Sequence, residues 1–179
     1  TGATDDKSLG FPGAEHTIGA GQFVGFYDAN PHFKDSWNLD AESVAVIGVG
    51  NVALDIARIL AKTGDELRVT EIPDNVYESL KENKAKEVHV FGRRGPAQAK
   101  FTPLELKELN YSDTIEVVVN PEDIQYDETS EEARRNSKIT DMVCNLLEQY
   151  AIADPTDAPH KLYLHLSLIH ISEPTRPRL

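Results

Sequence analysis

The chain has 179 residues, 40% of them hydrophobic, enough for one medium-sized domain with a core of its own and too few for two complete nucleotide-binding domains. A formal net charge of −12 argues against nucleic acid and anionic membrane as ligands, because both need a basic surface to displace counterions. The single cysteine, Cys144, excludes an internal disulfide and a CxxC redox pair, no metal-ligand spacing is present, and no apolar run approaches the roughly 20 residues that span a bilayer.

In chain order, the sequence opens at Thr1 rather than at Met, so the natural N-terminus is expected further upstream. No signal peptide is expected, and with one cysteine a reducing, cytoplasmic compartment fits best, with the mitochondrial matrix as the eukaryotic alternative. Residues 1–40 carry much of the glycine and no long periodic pattern; they read as loops with one short helix near residues 21–30. Within residues 42–63, Val44, Val46 and Ile47 predict a buried strand, and Val52, Ile56, Ile59 and Leu60 recur at helical spacing. Residues 64–85 are charged and broken by Pro73, which reads as a peripheral insertion with a helix over residues 74–81. The stretch "EVHVFGRRG" (87–95) alternates apolar and polar positions and then stops at a glycine and two arginines, as a strand entering a loop would. In "FTPLELKEL" (101–109), Thr102 stands as N-cap, Pro103 at the first helical position and Glu105 three residues after the cap, a full capping box. "TIEVVVN" (114–120) predicts a third strand, residues 130–151 one helix, and "KLYLHL" (161–166) a final strand. The acidic run at residues 127–132 reads as a solvated face. Strands alternating with helices imply an α/β fold, a Rossmann-like nucleotide-binding domain whose mostly parallel sheet is flanked by helices.

The best-defined chemistry lies at Gly48-Val49-Gly50-Asn51-Val52-Ala53, a G-x-G-x-x-A run between a predicted strand and a predicted helix. The first glycine permits the tight turn, the second lets the backbone approach a pyrophosphate, and the small Ala53 lets helix and strand pack closely. The helix N-terminus then offers free N–H groups and partial positive charge to the phosphates. Asp55 and Arg58, three residues apart, read as a surface ion pair worth on the order of a few tenths of a kcal/mol. Two segments compete to supply the next strand and so to choose the dinucleotide. "LRVTEI" (67–72) would place Glu71 roughly 20 residues past the glycines, where an acid binds the ribose hydroxyls of NAD. "EVHVFGRRG" would instead place Arg93 and Arg94 at a strand end, where guanidinium forks suit the 2′-phosphate of NADP. Spacing favours Glu71, whereas Pro73 and the polar neighbours of "LRVTEI" tilt the balance slightly towards NADP.

Together "VIGVGNVALDIARIL", "VFGRRGPAQAKFTPLELKEL" and "FVGFYDANPHF" resemble the adrenodoxin reductase family, FAD-dependent NADPH–ferredoxin reductases built on a glutathione-reductase-like pair of dinucleotide domains. The likeness runs from residue 1 to about residue 165 and favours Arg93 and Arg94 over Glu71. It implies NADP(H) and FAD as cofactors, ferredoxin as partner, and electron transfer from NADPH through FAD as the reaction. By position, Gly48, Gly50, Asn51, Val52 and Ala53 would line the pyrophosphate and ribose, and Arg93 and Arg94 would clamp the 2′-phosphate. Glu105 would touch the nucleotide in addition to capping its helix. Glu108 resembles the family's catalytic carboxylate near the flavin–nicotinamide junction, paired there with a histidine from the FAD portion. Phe26 stands where the family usually has an indole, and His32 is given no role. The resemblance divides the chain into residues 1–40, a linker and remnant of the FAD domain; residues 41–165, the NADP-binding domain; and residues 166–179, "LSLIHISEPTRPRL", a tail without counterpart that looks like a translated sequencing adapter and is expected to be disordered. A fragment of this kind should bind NADP(H) and be inactive by itself. The competing readings are the NADP domain of a reductase like the glutamate synthase small subunit, which usually lacks "GPAQAKFTPLELKEL", and a non-catalytic nucleotide-binding module. The thioredoxin reductases are set aside because they carry a CxxC in this domain.

Overall fold

Short runs rich in β-branched residues favour extended backbone. They form β1 (Ser43–Ile47), β2 (Glu87–Phe91) and β3 (Ile115–Val119), while β4 (His160–His165) has no β-branched residue and instead alternates Leu162 and Leu164, both buried, with Tyr163 and His165. The computed structural model describes residues 12–166, so the first linker residues and the tail beyond Leu166 lie outside the described residues. All strand pairs are parallel, in the order β1-β2-β4-β3, with the last strand in sequence slotted between β2 and β3. Parallel neighbours cannot be joined by tight hairpins, so each connection crosses over through helix. The helices are α1 (Ala20–Tyr27), α2 (Asn51–Ala61), α3 (Gly64–Leu67), α4 (Asp74–Lys81), α5 (Pro103–Glu108), α6 (Glu128–Asn136) and α7 (Lys138–Ala151). The expected α/β architecture is therefore present.

Side chains alternate across a strand, and one face of the sheet carries Val46, Val88, Val90, Leu162 and Leu164 into the core. There they meet Leu54, Ala57 and Leu60 of α2 and Val143 and Leu147 of α7. The Tyr150 hydroxyl donates to the Leu106 carbonyl at 2.7 Å, which ties α7 to α5. On the other face the expectation of a wholly buried β1 fails: Ile47 is 70% exposed, because it follows the buried Val46 and so points away from the core. Beside it on that face, Phe91 stacks on His165 and His89 on Tyr163, with ring centroids 4.7 and 4.6 Å apart.

The stretch between α2 and β2 is more than a peripheral insertion. Leu67, Val76 and Leu80 are buried in the main core, since the short α4 repeats its apolar residues at helical spacing and lays them inward. A capping box not anticipated from the sequence starts α3, with the Thr63 hydroxyl accepting from the Glu66 N–H and the Glu66 carboxylate accepting from the Thr63 N–H. That carboxylate also accepts from the hydroxyls of Ser112 and Thr114 just before β3. Burial alone would raise the Glu66 pKa, but these donors outweigh it and hold the carboxyl below its ordinary value. Glu66→Ala removes the charged acceptor shared by the Thr63 N–H and the Ser112 and Thr114 hydroxyls, leaving the buried Ser112 only its contacts with Thr114, and should cost about 1–3 kcal/mol at neutral pH. A native pKa below the unfolded one stabilises above the ordinary value of 4.5, and the benefit is lost as the pH falls below it. Urea melts of both proteins at pH 7 and pH 3 should show a gap that closes in acid; an equal gap at both would contradict the assignment.

The helix expected over residues 130–151 is two helices. At Ser137 the backbone turns extended (φ −139°, ψ 108°), and its hydroxyl caps α7 by accepting from the Thr140 N–H at 3.2 Å. Arg134 of α6 clamps the two together through Asp141 and Glu148 of α7 at 3.0 and 2.6 Å. At the other end of the domain, α1 packs on α2, and Phe26 is fully buried against Phe23 and the Trp37 ring.

Candidate nucleotide-binding site

Between β1 and α2 the chain reverses through Gly48, Val49 and Gly50. Gly48 sits at φ +135°, where a Cβ is strained, and its N–H donates to the Phe91 carbonyl at 2.9 Å, so the turn is stitched to the end of β2. Gly50 is different. Its φ of −118° suits any residue, and a Cβ built there would meet no atom within 4 Å. Nothing in the fold calls for glycine at that position, yet the space over it is open, as a backbone meant to be approached by a ligand requires. Ala53 supplies the close helix–strand contact, its Cβ lying 3.7 Å from where a Gly48 Cβ would stand. Gly50 is also the N-cap of α2 and offers no side chain to the first-turn N–H groups, while Val52 in that turn is 55% exposed rather than in the core. Asn51 turns the other way, its Oδ1 accepting from the Thr102 N–H at 2.8 Å.

The competition for the second strand is decided by geometry. "LRVTEI" forms no strand: Leu67 closes α3, and Glu71 lies exposed in the turn before Pro73. β2 lies beside β1 with Ile47 level with Phe91. The two strands therefore end together at the carboxyl edge of the sheet, where open α/β folds hold their ligands. Arg93 and Arg94 follow directly in the loop beyond Gly92. Both are exposed, and among the described residues neither pairs with a carboxylate, although the chain has 30 acidic residues to 18 basic ones. Two unpaired guanidiniums in so acidic a chain are what an anion site needs.

Glu105 and Glu108 belong to a cluster that the sequence did not disclose. Arg58 of α2 lies among three carboxylates, pairing with Asp55 at 2.6 Å and with Glu108, and standing 3.7 Å from Glu105. The expected isolated surface pair is thus a partly buried knot between α2 and α5, with the Arg58 side chain 24% exposed. The expected capping box at α5 is half made: the Thr102 hydroxyl accepts from the Glu105 N–H at 3.3 Å, but the Glu105 carboxylate faces Arg58. Burial, and next the Asp55 charge, push the Glu105 pKa up. The Tyr27 phenol beside the cluster is pushed up to about 12, first by burial and then by Asp55 and Asp28. Two i, i+3 pairs, Asp55/Arg58 and Glu105/Glu108, were the available signal; that their helices face each other was not legible. His32 is exposed in a loop, its N–H donating to Asn30 Oδ1 at 3.0 Å. Among the described residues no group of three or more candidate ligands could hold a metal, and no helix is long and apolar enough to cross a membrane.

No protein-family model matches the chain. It is 43% identical over 157 residues to the NADPH-ferredoxin reductase FprA of Mycobacterium tuberculosis, an alignment covering 86% of this chain and 34% of that protein. To the mitochondrial NADPH:adrenodoxin oxidoreductase of Arabidopsis thaliana it is 34% identical over 171 residues, covering 92% and 35%. Among solved structures, Mycobacterium tuberculosis FprA in complex with NADPH superposes with a TM-score of 0.84 at 39% identity, over 92% of this chain and 37% of that one. The chain spans about a third of the length of the curated relatives it matches.

Proposed function

We propose that the chain is part of a member of the adrenodoxin reductase family, matching about a third of its relatives' length, and that it is the NADP(H)-binding part of a flavin-dependent oxidoreductase passing electrons from NADPH through FAD to ferredoxin. The observation that carries the reading is the level ending of β1 and β2, which puts the open backbone at Gly50 and the unpaired Arg93 and Arg94 on one edge of the sheet. NADPH held by these residues would supply a hydride, and FAD, held mainly outside this chain, would supply the one-electron chemistry towards ferredoxin. The residues of this chain bind and orient. Gly48, Gly50 and Val52 line the pyrophosphate and ribose, with Asn51 contributing its backbone N–H rather than its side chain, Ala53 allowing the close turn beneath, and the first-turn N–H groups of α2 facing the phosphates. Arg93 and Arg94 grip the 2′-phosphate. Glu105 touches the nucleotide, and Glu108, held by Arg58, stands towards the nicotinamide end as the catalytic carboxylate.

In this reading residues 41–165 are the NADP domain, residues 1–40 link it to a FAD domain, and FAD is bound mainly by the part of the longer relatives outside this chain. The intact protein is a ferredoxin–NADP(+) reductase of the cytoplasm, or of the mitochondrial matrix in a eukaryote. Titration of the purified chain should show NADPH bound well in preference to NADH, and after incubation with FAD and removal of the free flavin by gel filtration the protein should be colourless. Equal binding of the two nucleotides overturns the NADP assignment; a yellow, NADPH-reducible complex overturns the division of cofactors.

A further inference from the structure

We propose that Lys100 is an additional phosphate-binding residue, its ammonium pairing with the pyrophosphate common to NADPH and NADH; the assignment rests on the nucleotide reading above. The segment that follows the arginine loop returns along the glycine turn. There the Lys100 N–H donates to the Val49 carbonyl at 2.7 Å, and Lys100 and Gly50 form a parallel bridge. In a parallel pair, bridged residues stand about 4.8 Å apart with their side chains on the same side. The side chain of Lys100 therefore rises beside the direction that a Gly50 Cβ would take, and that direction is open. A flexible four-carbon stem lets the ammonium swing over it.

Charge supports the placement. Lys84, Lys86 and Lys161 each pair with an acid, at 2.6, 2.9 and 3.9 Å. Lys100 is exposed and, like Lys34, Lys62, Lys81, Lys107 and Lys138, pairs with no acid among the described residues; what sets it apart is its place beside the glycine turn. With Arg93 and Arg94 it makes three uncompensated cations around one turn of a chain whose net charge is −12. Their chemistry divides the labour: guanidinium forks suit a terminal phosphate gripped by two nitrogens, whereas a compact, mobile ammonium suits the charge spread over a bridging pyrophosphate. Lys100 thereby adds affinity without choosing between the nucleotides, and the arginines choose.

The test is titration of the full 179-residue chain and of its Lys100→Gln and Lys100→Arg variants with NADPH and with NADH, at low and at raised salt. Lys100→Gln should weaken both nucleotides by a similar factor, roughly 3- to 10-fold at low salt, with the gap narrowing as salt screens the charge. Lys100→Arg should retain most of the affinity, and the melting temperature of both variants should match the parent, since only the backbone of Lys100 is engaged in the fold. Unchanged affinity for both nucleotides overturns the proposal, as does a loss confined to NADPH, which would place Lys100 on the 2′-phosphate. If the parent chain binds neither nucleotide, the nucleotide reading fails and this assignment fails with it. A selective loss of NADPH in the Arg93→Ala chain, with Lys100→Gln silent, removes this assignment alone.

Discussion

Arg93→Ala and Arg94→Ala are each expected to weaken NADPH binding by about 10- to 100-fold while leaving NADH almost unchanged, because a charge-assisted contact to a phosphate is worth about 1.5–3 kcal/mol and NADH has no 2′-phosphate to lose. Both side chains are exposed and unpaired among the described residues, so neither substitution breaks an ion pair and the fold should be indifferent to it. The double variant should bind the two nucleotides alike. Parallel fluorescence titrations with NADPH and NADH give the answer directly. Should the single variants lose both nucleotides equally, the arginines would be acting on the pyrophosphate; should they lose neither, the loop beyond β2 would not be part of the site.

The glycine turn offers a second large effect, one that separates ligand from fold. Gly50→Val places its side chain where no atom lies within 4 Å, at a φ of −118° that valine accepts, so thermal stability should fall by at most about 1 kcal/mol, the usual scale for losing a favourable N-cap. In the proposed site the same side chain would block the approach of the pyrophosphate, and binding of NADPH and NADH should drop by more than about tenfold, the loss of over 1.4 kcal/mol. Gly48→Val should do the opposite damage. At φ +135° a β-branched residue is strained, and the fold should lose about 1–3 kcal/mol before any ligand is added. Melting curves and titrations on the two variants form a cross. If Gly50→Val binds as well as the parent, the open space over that residue is only surface, and the turn is a strand-to-helix connection with no ligand.

What could be read without coordinates was local. The β1–glycine–α2 unit follows from apolar runs on either side of a G-x-G-x-x-A spacing, and the observed bounds, Ser43–Ile47 and Asn51–Ala61, sit inside the expected stretch. The helix at Asp74–Lys81 and the start of α5 at Pro103 were legible for the same reason, since an amphipathic spacing or a Pro after a Thr acts within one turn. The break at Ser137 was hidden because the residues on both sides favour helix, and the turn between α6 and α7 is held by Arg134 reaching across to Asp141 and Glu148. The half-made capping box at α5 failed because Arg58 and Asn51, both remote in sequence, took the partners that the local pattern had assigned to each other.

The sequence by itself determined that a glycine turn of G-x-G-x-x-A spacing joins a strand to a helix, and where it lies, because a turn's conformation and a helix's first residues are settled by neighbours a few positions away. Only the tertiary structure decided that β2 rather than "LRVTEI" runs beside β1, that Arg93 and Arg94 come level with the glycines, that Lys100 returns alongside Gly50, and that Arg58 holds three carboxylates between α2 and α5. Those outcomes depend on strand register and on which helix faces meet. Register and facing are set by the burial of one whole side of the sheet, a sum over residues far apart in the chain that no short stretch contains.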